Sequence, residues 1–218
     1  MSIATLILGE SGTGKSTSLR NLDPAKTLLI QAVKKPLPFR SAGWKPCTKA
    51  DPEGSVICTD VAAKIEGAMR GSKREIVVID DFQYVLANEF MRRSDEKGFE
   101  KFTDIGRNAW NILMAATQLA EERRVYILAH TTSDDLGKTR MKTIGKLLDE
   151  KITPEGLFTI VLRTQVRDGA FFFATQNSGS DTTKSPMGLF ADQLIGNDLA
   201  EVDAAICDYY GITTPANA

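Results

Sequence analysis

The stretch "GESGTGKST" at residues 9–17 puts Gly9, Gly14, Lys15 and Ser16 at the spacing G-x-x-x-x-G-K-[ST]. Those residue types at that spacing suit one task, the wrapping of a polyphosphate. Glycine lets successive main-chain N–H groups turn inward around an anion without a Cβ clash. A helix predicted from about Gly14 to Leu22 aims its positive end at the same anion. Lys15 supplies a mobile cation for the β and γ phosphates, and the Ser16 hydroxyl is a ligand for Mg²⁺. Thr17, next along, is placed for the α phosphate. The whole run of Gly9, Glu10, Ser11, Gly12, Thr13, Gly14, Lys15, Ser16 and Thr17 is therefore the candidate cradle for ATP and Mg²⁺. A bare glycine-rich turn is the plain alternative. The apolar strand before it and the helix expected behind it are the context a phosphate-binding P-loop needs.

Such a site needs a carboxylate from a second strand to steady the metal through water. "IVVID" delivers Asp80 to a strand's C-terminal edge, where ligands gather in open α/β sheets. Asp80 is the expected metal-site acid, in the Walker B position. Asp81 follows and is placed to orient or deprotonate an attacking water, or else to cap the segment after the strand. Further on, "VYILAH" ends in His130 and Thr131. Where a P-loop ATPase has an extra strand between its P-loop and Walker B strands, a polar residue at that point senses the γ-phosphate. His130 or Thr131 would do so here, and a histidine satisfied by local hydrogen bonds is the equal alternative.

The elements that must position these residues are legible as alternating strands and helices. "IATLIL" (3–8) is a short apolar run of the kind buried on both faces of a sheet, and "TLLIQ" (27–31), "SVICT" (55–59), "EIVVIDD" (75–81) and "VYILAH" (125–130) read as further strands. A helix capped by Asp60 is expected to bury Val61, Ala62, Ile65, Ala68 and Met69 and to end at Gly71. The mixed, charged stretch to about residue 103 gives no clear element. A long helix then carries Ile105, Ala109, Ile112, Leu113, Ala116 and Leu119 at helical spacing. Residues 131–151 are polar, basic and only partly helical in pattern. "RDG" (167–169) between two apolar runs predicts a hairpin. A last helix starts at Asn197 or Asp198 and ends at Gly211. Trp44 and Phe39, in the Pro-rich segment 34–46, are expected to pack rather than to bind. The fold class expected is α/β: a mainly parallel central sheet flanked by helices, with a late antiparallel hairpin, forming one domain over 1–212 and a frayed tail at 213–218.

Bulk properties set outer limits. The chain has 218 residues, 42% of them hydrophobic and 25% charged, and a net charge of −1. That balance is globular, and it leaves whole-protein attraction to nucleic acid weak, so any such binding must come from local basic patches. No apolar stretch approaches the roughly 20 residues of a membrane span. The first ten residues read as a strand rather than a secretory leader. Cys47, Cys58 and Cys207 are scattered, which favours reduced thiols and an intracellular setting over a disulfide framework.

With "GESGTGKST", "KKPLPF" (34–39), "VVIDDFQY" (77–84) and "KSPMGLF…NDL" (184–199) on the page, the chain resembles the RecA-like P-loop ATPases, and within them the small phage-encoded ATPases of single-strand annealing and recombination. The resemblance spans most of the chain. It implies ATP hydrolysis coupled to single-stranded DNA, a ring or filament with ATP between subunits, and the cytoplasm of an infected host. RecA carries its catalytic glutamate after the strand that follows the P-loop helix. Here that strand offers Gln31 and no acid, so Asp81, or Glu10 within the loop, would have to serve. DNA contacts are expected from Arg92 and Arg93 in "MRRSDEKGFEKF", which also holds Lys97 and Lys101 beside Phe99 and Phe102. They are also expected from Lys138, Arg140, Lys142 and Lys146, which follow the sensor strand where RecA-like proteins place a DNA-contacting loop. Solvated polar faces are the alternative for both. Lys184 is a candidate trans-acting finger toward a neighbouring subunit's γ-phosphate, or an ordinary surface lysine.

Two rival functions share the first motif. "SGTGKS" also resembles the loop of nucleoside monophosphate kinases, with "RMKTIGK" as a lid, although kinases often keep the metal-linked acid on the strand next to the P-loop strand. A nucleotide-gated binding module with little turnover is the other, favoured by the missing acid.

Overall fold

The computed structural model describes residues 1–135, 137–145 and 151–213. Among the described residues ten strands form in chain order: β1 (Ile3–Leu8), β2 (Thr27–Gln31), β3 (Val56–Cys58), β4 (Ile76–Asp80), β5 (Arg124–Ala129), β6 (Thr131–Ser133), β7 (Thr139–Met141), β8 (Ile160–Arg167), β9 (Ala170–Ala174) and β10 (Leu194–Gly196). Four α-helices accompany them among the same residues: α1 (Ala62–Gly71), α2 (Gln83–Arg92), α3 (Glu100–Thr117) and α4 (Leu199–Tyr210).

Eight strands make one sheet in the order β10-β9-β8-β1-β5-β4-β2-β3. From β8 to β3 every pairing is parallel, and β9 runs antiparallel to both β8 and β10. The hairpin turns at Asp168 and Gly169, both at positive φ, as a two-residue loop requires. Alternation along each inner strand sends side chains to opposite faces. Leu6, Leu8, Val77, Ile79, Val125 and Ile127 meet Ile65, Met69, Ile105, Ile112 and Leu113 of α1 and α3 in one core. Ile7, Ile76, Val78, Tyr126 and Leu128 meet Leu199, Val202 and Ile206 of α4 in the other. With a helix layer on each face, the inner strands are largely apolar on both sides, which is why they read as near-continuous runs in the sequence.

Strand β5 pairs with β1 on one side and β4 on the other. Leu8 therefore lies opposite Ala129, while Asp80 ends β4 beside Gln31 of β2. The loops after β1, β2, β4 and β5 all leave the sheet at the same C-terminal edge.

Four expectations are corrected. The helix behind the P-loop is only a 3₁₀ segment, Ser16–Asn21, because Pro24 and the start of β2 at Thr27 leave no room for more turns. Asp60 does not cap α1, whose first turn follows Val61; its carboxylate instead accepts a 2.6 Å bond from Arg92. Val61 is largely exposed rather than part of the buried face. The charged stretch before residue 103 contains α2, which buries Val85 and Leu86. Strands β6, β7 and β10 are three residues each, too short to leave a periodic trace. Phe39 and Trp44 pack edge-on at 6.4 Å against the second core. The expected tail beyond Thr213 and the candidate Lys146 lie outside the described residues.

Candidate functional site

The loop after β1 closes on itself. Lys15 is buried, and its ammonium donates to the carbonyls of Gly9 at 2.8 Å and Glu10 at 2.7 Å. Burial pushes its pKa down to about 8, against the pull of Asp81 and Asp80. Two glycines in the loop have separate physical reasons. At Gly14 φ is +94°, a conformation side chains rarely adopt, and a Cβ there would stand 3.0 Å from Phe171 and from Asn197. At Gly9 the reason is close approach: a Cβ would sit 1.8 Å from Thr164 Oγ1 on β8. Thr13 fastens the same junction, its hydroxyl 2.7 Å from the Glu10 carbonyl and 2.5 Å from the Thr164 hydroxyl. Among the described residues, the main-chain N–H groups of Gly12, Thr13, Gly14 and Lys15 have no acceptor. They form a set of unspent donors, which is what an anion cradle requires.

Across the cleft, Asp80 is fully buried. Ser16 Oγ donates to its Oδ1 at 3.0 Å, while Oδ2 is buried with no hydrogen-bond partner. Burial, aided by the charge of Asp81, raises the Asp80 carboxyl to about 6. A buried carboxylate oxygen without a partner, beside a serine hydroxyl, fits a hydrated Mg²⁺.

Asp81 turns the chain from β4 into α2 at φ +58°, unusual for a residue with a side chain. The turn is held by the Phe82 N–H, which donates to Leu128 of β5 at 3.0 Å. Its consequence is that the Asp81 carboxylate faces back into the cleft instead of capping α2, whose first turn has no side-chain cap. One oxygen is ion-paired with Lys35, and His130 Nε2 stands 3.6 Å from the other. Burial alone would raise the Asp81 carboxyl, but the imidazole and the Lys35 ammonium outweigh it and hold the group below its ordinary value. Tyr84 of α2 stands edge-on to the His130 ring at 6.3 Å.

Of the expected site residues, Ser11, Gly12, Gly14, Lys15, Ser16 and Thr17 line one cleft with Asp81 and His130. Gly9, Glu10, Thr13 and Asp80 are not part of that lining; Gly9 and Glu10 contribute carbonyls to Lys15, and Glu10 is exposed. Thr131 belongs to β6, opposite Met141 of β7. Missed in the sequence were Lys35, Tyr84 and Phe171, which line the cleft as well. Lys35 had a signal: it follows β2, the strand that runs beside the acid-bearing β4.

The remaining candidates sit elsewhere. Arg92 is paired with Asp60, and Arg93 with Glu89, Glu96 and Asp104. Lys101 caps the carbonyls of Arg93, Ser94 and Glu96 and lies over the Phe90 and Phe102 rings. The charges of Arg92, Arg93 and Lys101 are thus matched within the fold. Lys138 and Lys142 are exposed on and beside the β6–β7 hairpin, Arg140 is half-buried in β7, and the Lys142 N–H donates to the His130 carbonyl at 2.8 Å. Lys184 is clipped to β8 by two backbone bonds with Val161, with its side chain exposed and outside the cleft. No helix among the described residues is long and apolar enough to cross a membrane. No family model matches the chain, and no curated protein is significantly similar to it.

Proposed function

We propose that this chain is a RecA-like P-loop ATPase that binds Mg–ATP in the cleft and couples its hydrolysis to single-stranded DNA. One observation carries the reading: the Gly9–Thr17 loop holds a buried Lys15 and amides without acceptors, and its Ser16 is bonded to the buried Asp80, across a sheet in which β5 separates the two strands. That separation favours the ATPase over the kinase, for which the acid strand next to the P-loop strand is the usual arrangement. The lid proposed for a kinase also finds little support, since Thr139–Met141 is a strand paired with β6.

Within this reading, Ser16 and Asp80 hold Mg²⁺, which supplies charge neutralisation at the β and γ phosphates. Lys15 leaves its two carbonyls for the phosphates. Asp81, kept ionised, orients a water and takes its proton as the water oxygen attacks the γ-phosphorus and ADP departs. His130 donates a hydrogen bond to the terminal phosphate. The β6–β7 hairpin, joined to His130 through Lys142, is the DNA-contacting segment, with Lys138, Arg140 and Lys142 as its charges. A ring or filament with Lys184 reaching a neighbour's nucleotide completes the proposal.

The test is calorimetry with Mg–ATP and Mg–GTP, followed by phosphate release with and without single-stranded DNA and beside a panel of nucleoside acceptors. Binding that disappears in Lys15→Ala, with release accelerated by DNA, is expected. Binding of neither nucleotide overturns the site. A phosphorylated acceptor selects the kinase, and tight binding without turnover selects the gated module.

A further inference from the structure

The cleft contains a second lysine that the phosphate-binding motif does not include. Lys35 lies four residues beyond the end of β2 and lines the same cleft as the loop. Its main chain is steadied by the Gln31 side-chain amide, which donates to the Lys35 carbonyl at 3.3 Å. Its ammonium is paired with Asp81 Oδ2, while His130 stands at Oδ1. Both oxygens of the carboxylate that hydrolysis requires are therefore occupied before any nucleotide arrives.

The pairing is unequal in a useful way. Asp81 is 6% exposed and fixed by its turn, whereas the Lys35 side chain is 41% exposed and long enough to move. Lys15 and Lys35 line the same cleft, and the charge of Lys35 helps to depress Lys15. Asp80 and Asp81 act on Lys15 in the opposite sense, so the cleft holds charges of both signs before a polyanion enters it. In the nucleotide-binding reading the loop amides and Lys15 hold the phosphates, and Lys35 and His130 line the same cleft.

We propose that Lys35 is a specificity-determining residue that distinguishes nucleoside triphosphate from diphosphate by exchanging Asp81 for the terminal phosphate. This inference rests on the nucleotide-binding reading above. The exchange trades a pairing with one carboxylate for a stronger pairing with the more highly charged γ-phosphate, so it proceeds only where a third phosphate is there to receive the ammonium. A diphosphate leaves the Lys35–Asp81 pair closed. A triphosphate opens it and frees a carboxylate oxygen for water, so binding of the correct ligand itself uncovers the base.

Titration calorimetry of the full chain with Mg–ATP and Mg–ADP tests this, comparing wild type with Lys35→Met and Lys35→Arg. Wild type should prefer ATP. In Lys35→Met that preference should fall by about tenfold or more, the surplus of the γ-phosphate pairing over the Asp81 pairing it replaces, with ADP affinity within about twofold of wild type. Lys35→Arg should retain most of the preference. Thermal melting confirms that each variant is folded, and Lys35→Gln replaces Lys35→Met if the latter is not. An unchanged ATP-to-ADP ratio in a folded, uncharged variant overturns the role of Lys35 while leaving the nucleotide site standing. Failure of wild type to bind either nucleotide overturns both.

Discussion

The Ser16 hydroxyl donates a 3.0 Å hydrogen bond to Asp80 Oδ1, tying the loop after β1 to the end of β4 over the top of the strand between them. The other oxygen of Asp80 has no partner, and the group sits in a fully buried position. This arrangement is strained electrostatically in the metal-free protein, and the strain can be measured.

Asp80→Asn should stabilise the metal-free chain at neutral pH. Its carboxyl is raised from 3.8 to about 6, so between those values the native state holds more protons than the unfolded one. Stability from this group is therefore lost as pH rises through that window, up to roughly 2–3 kcal/mol. The melting temperature of Asp80→Asn should exceed that of wild type at pH 7.5, and the gap should close near pH 4. The same variant should bind Mg–ATP at least about tenfold more weakly, because the metal loses an anionic partner. A pH-independent gap would place the cost of burying Asp80 elsewhere.

Asp81→Asn should leave nucleotide affinity within a few-fold and slow phosphate release by about a hundredfold or more, the usual range for losing a positioned base. Asparagine tolerates the left-handed turn that Asp81 adopts, so the fold should persist. Equal rates in single-turnover assays would reduce Asp81 to a backbone role at the end of β4.

Gly9 is required by close approach and not by conformation. Gly9→Ala should destabilise the chain by about 1–3 kcal/mol, as overpacking does, since the new Cβ would lie 1.8 Å from Thr164 Oγ1. Adding Thr164→Ala removes that atom and should recover part of the loss, leaving the Thr164 Cβ at 3.1 Å as the closest remaining part of that side chain. Chemical denaturation of the two single variants and the double variant forms the cycle. Strict additivity would show that the two residues do not meet.

Charge reversal at Lys138 and Lys142 should weaken single-stranded DNA binding and flatten its salt dependence, by about one unit of slope for each phosphate that is no longer neutralised. Arg92→Ala should change DNA affinity far less, because that guanidinium is already matched by Asp60. Fluorescence anisotropy over a salt series reads both, and the opposite ranking would move the DNA surface to α2.

Much of this cleft was visible in the sequence because it is built from runs that are uniform in character. The loop, "IVVID" and "VYILAH" announce themselves through spacing and buried-strand composition, and the hairpin and α4 through Asp168–Gly169 and the pair Asp198 and Gly211. Helix α2 stayed hidden because it starts without a side-chain cap and presents charged residues on its outer turns. Lys35 stayed hidden for a different reason. Its segment, with prolines at 36 and 38, has no period, and only the neighbouring of β2 and β4 in space brings it to Asp81. The 3₁₀ segment after the loop was overestimated, since the motif predicts a helix but says nothing of the five residues that separate its end from β2.

Strand β1 leaves the ribosome well before β5 and β8, the two strands that clasp it. Until Ile160–Arg167 has emerged, the strand that roots the cradle keeps an open edge and Gly9 lacks the threonine against which it packs. Nascent chains halted before that point should therefore be unable to retain nucleotide, however complete their N-terminal motif.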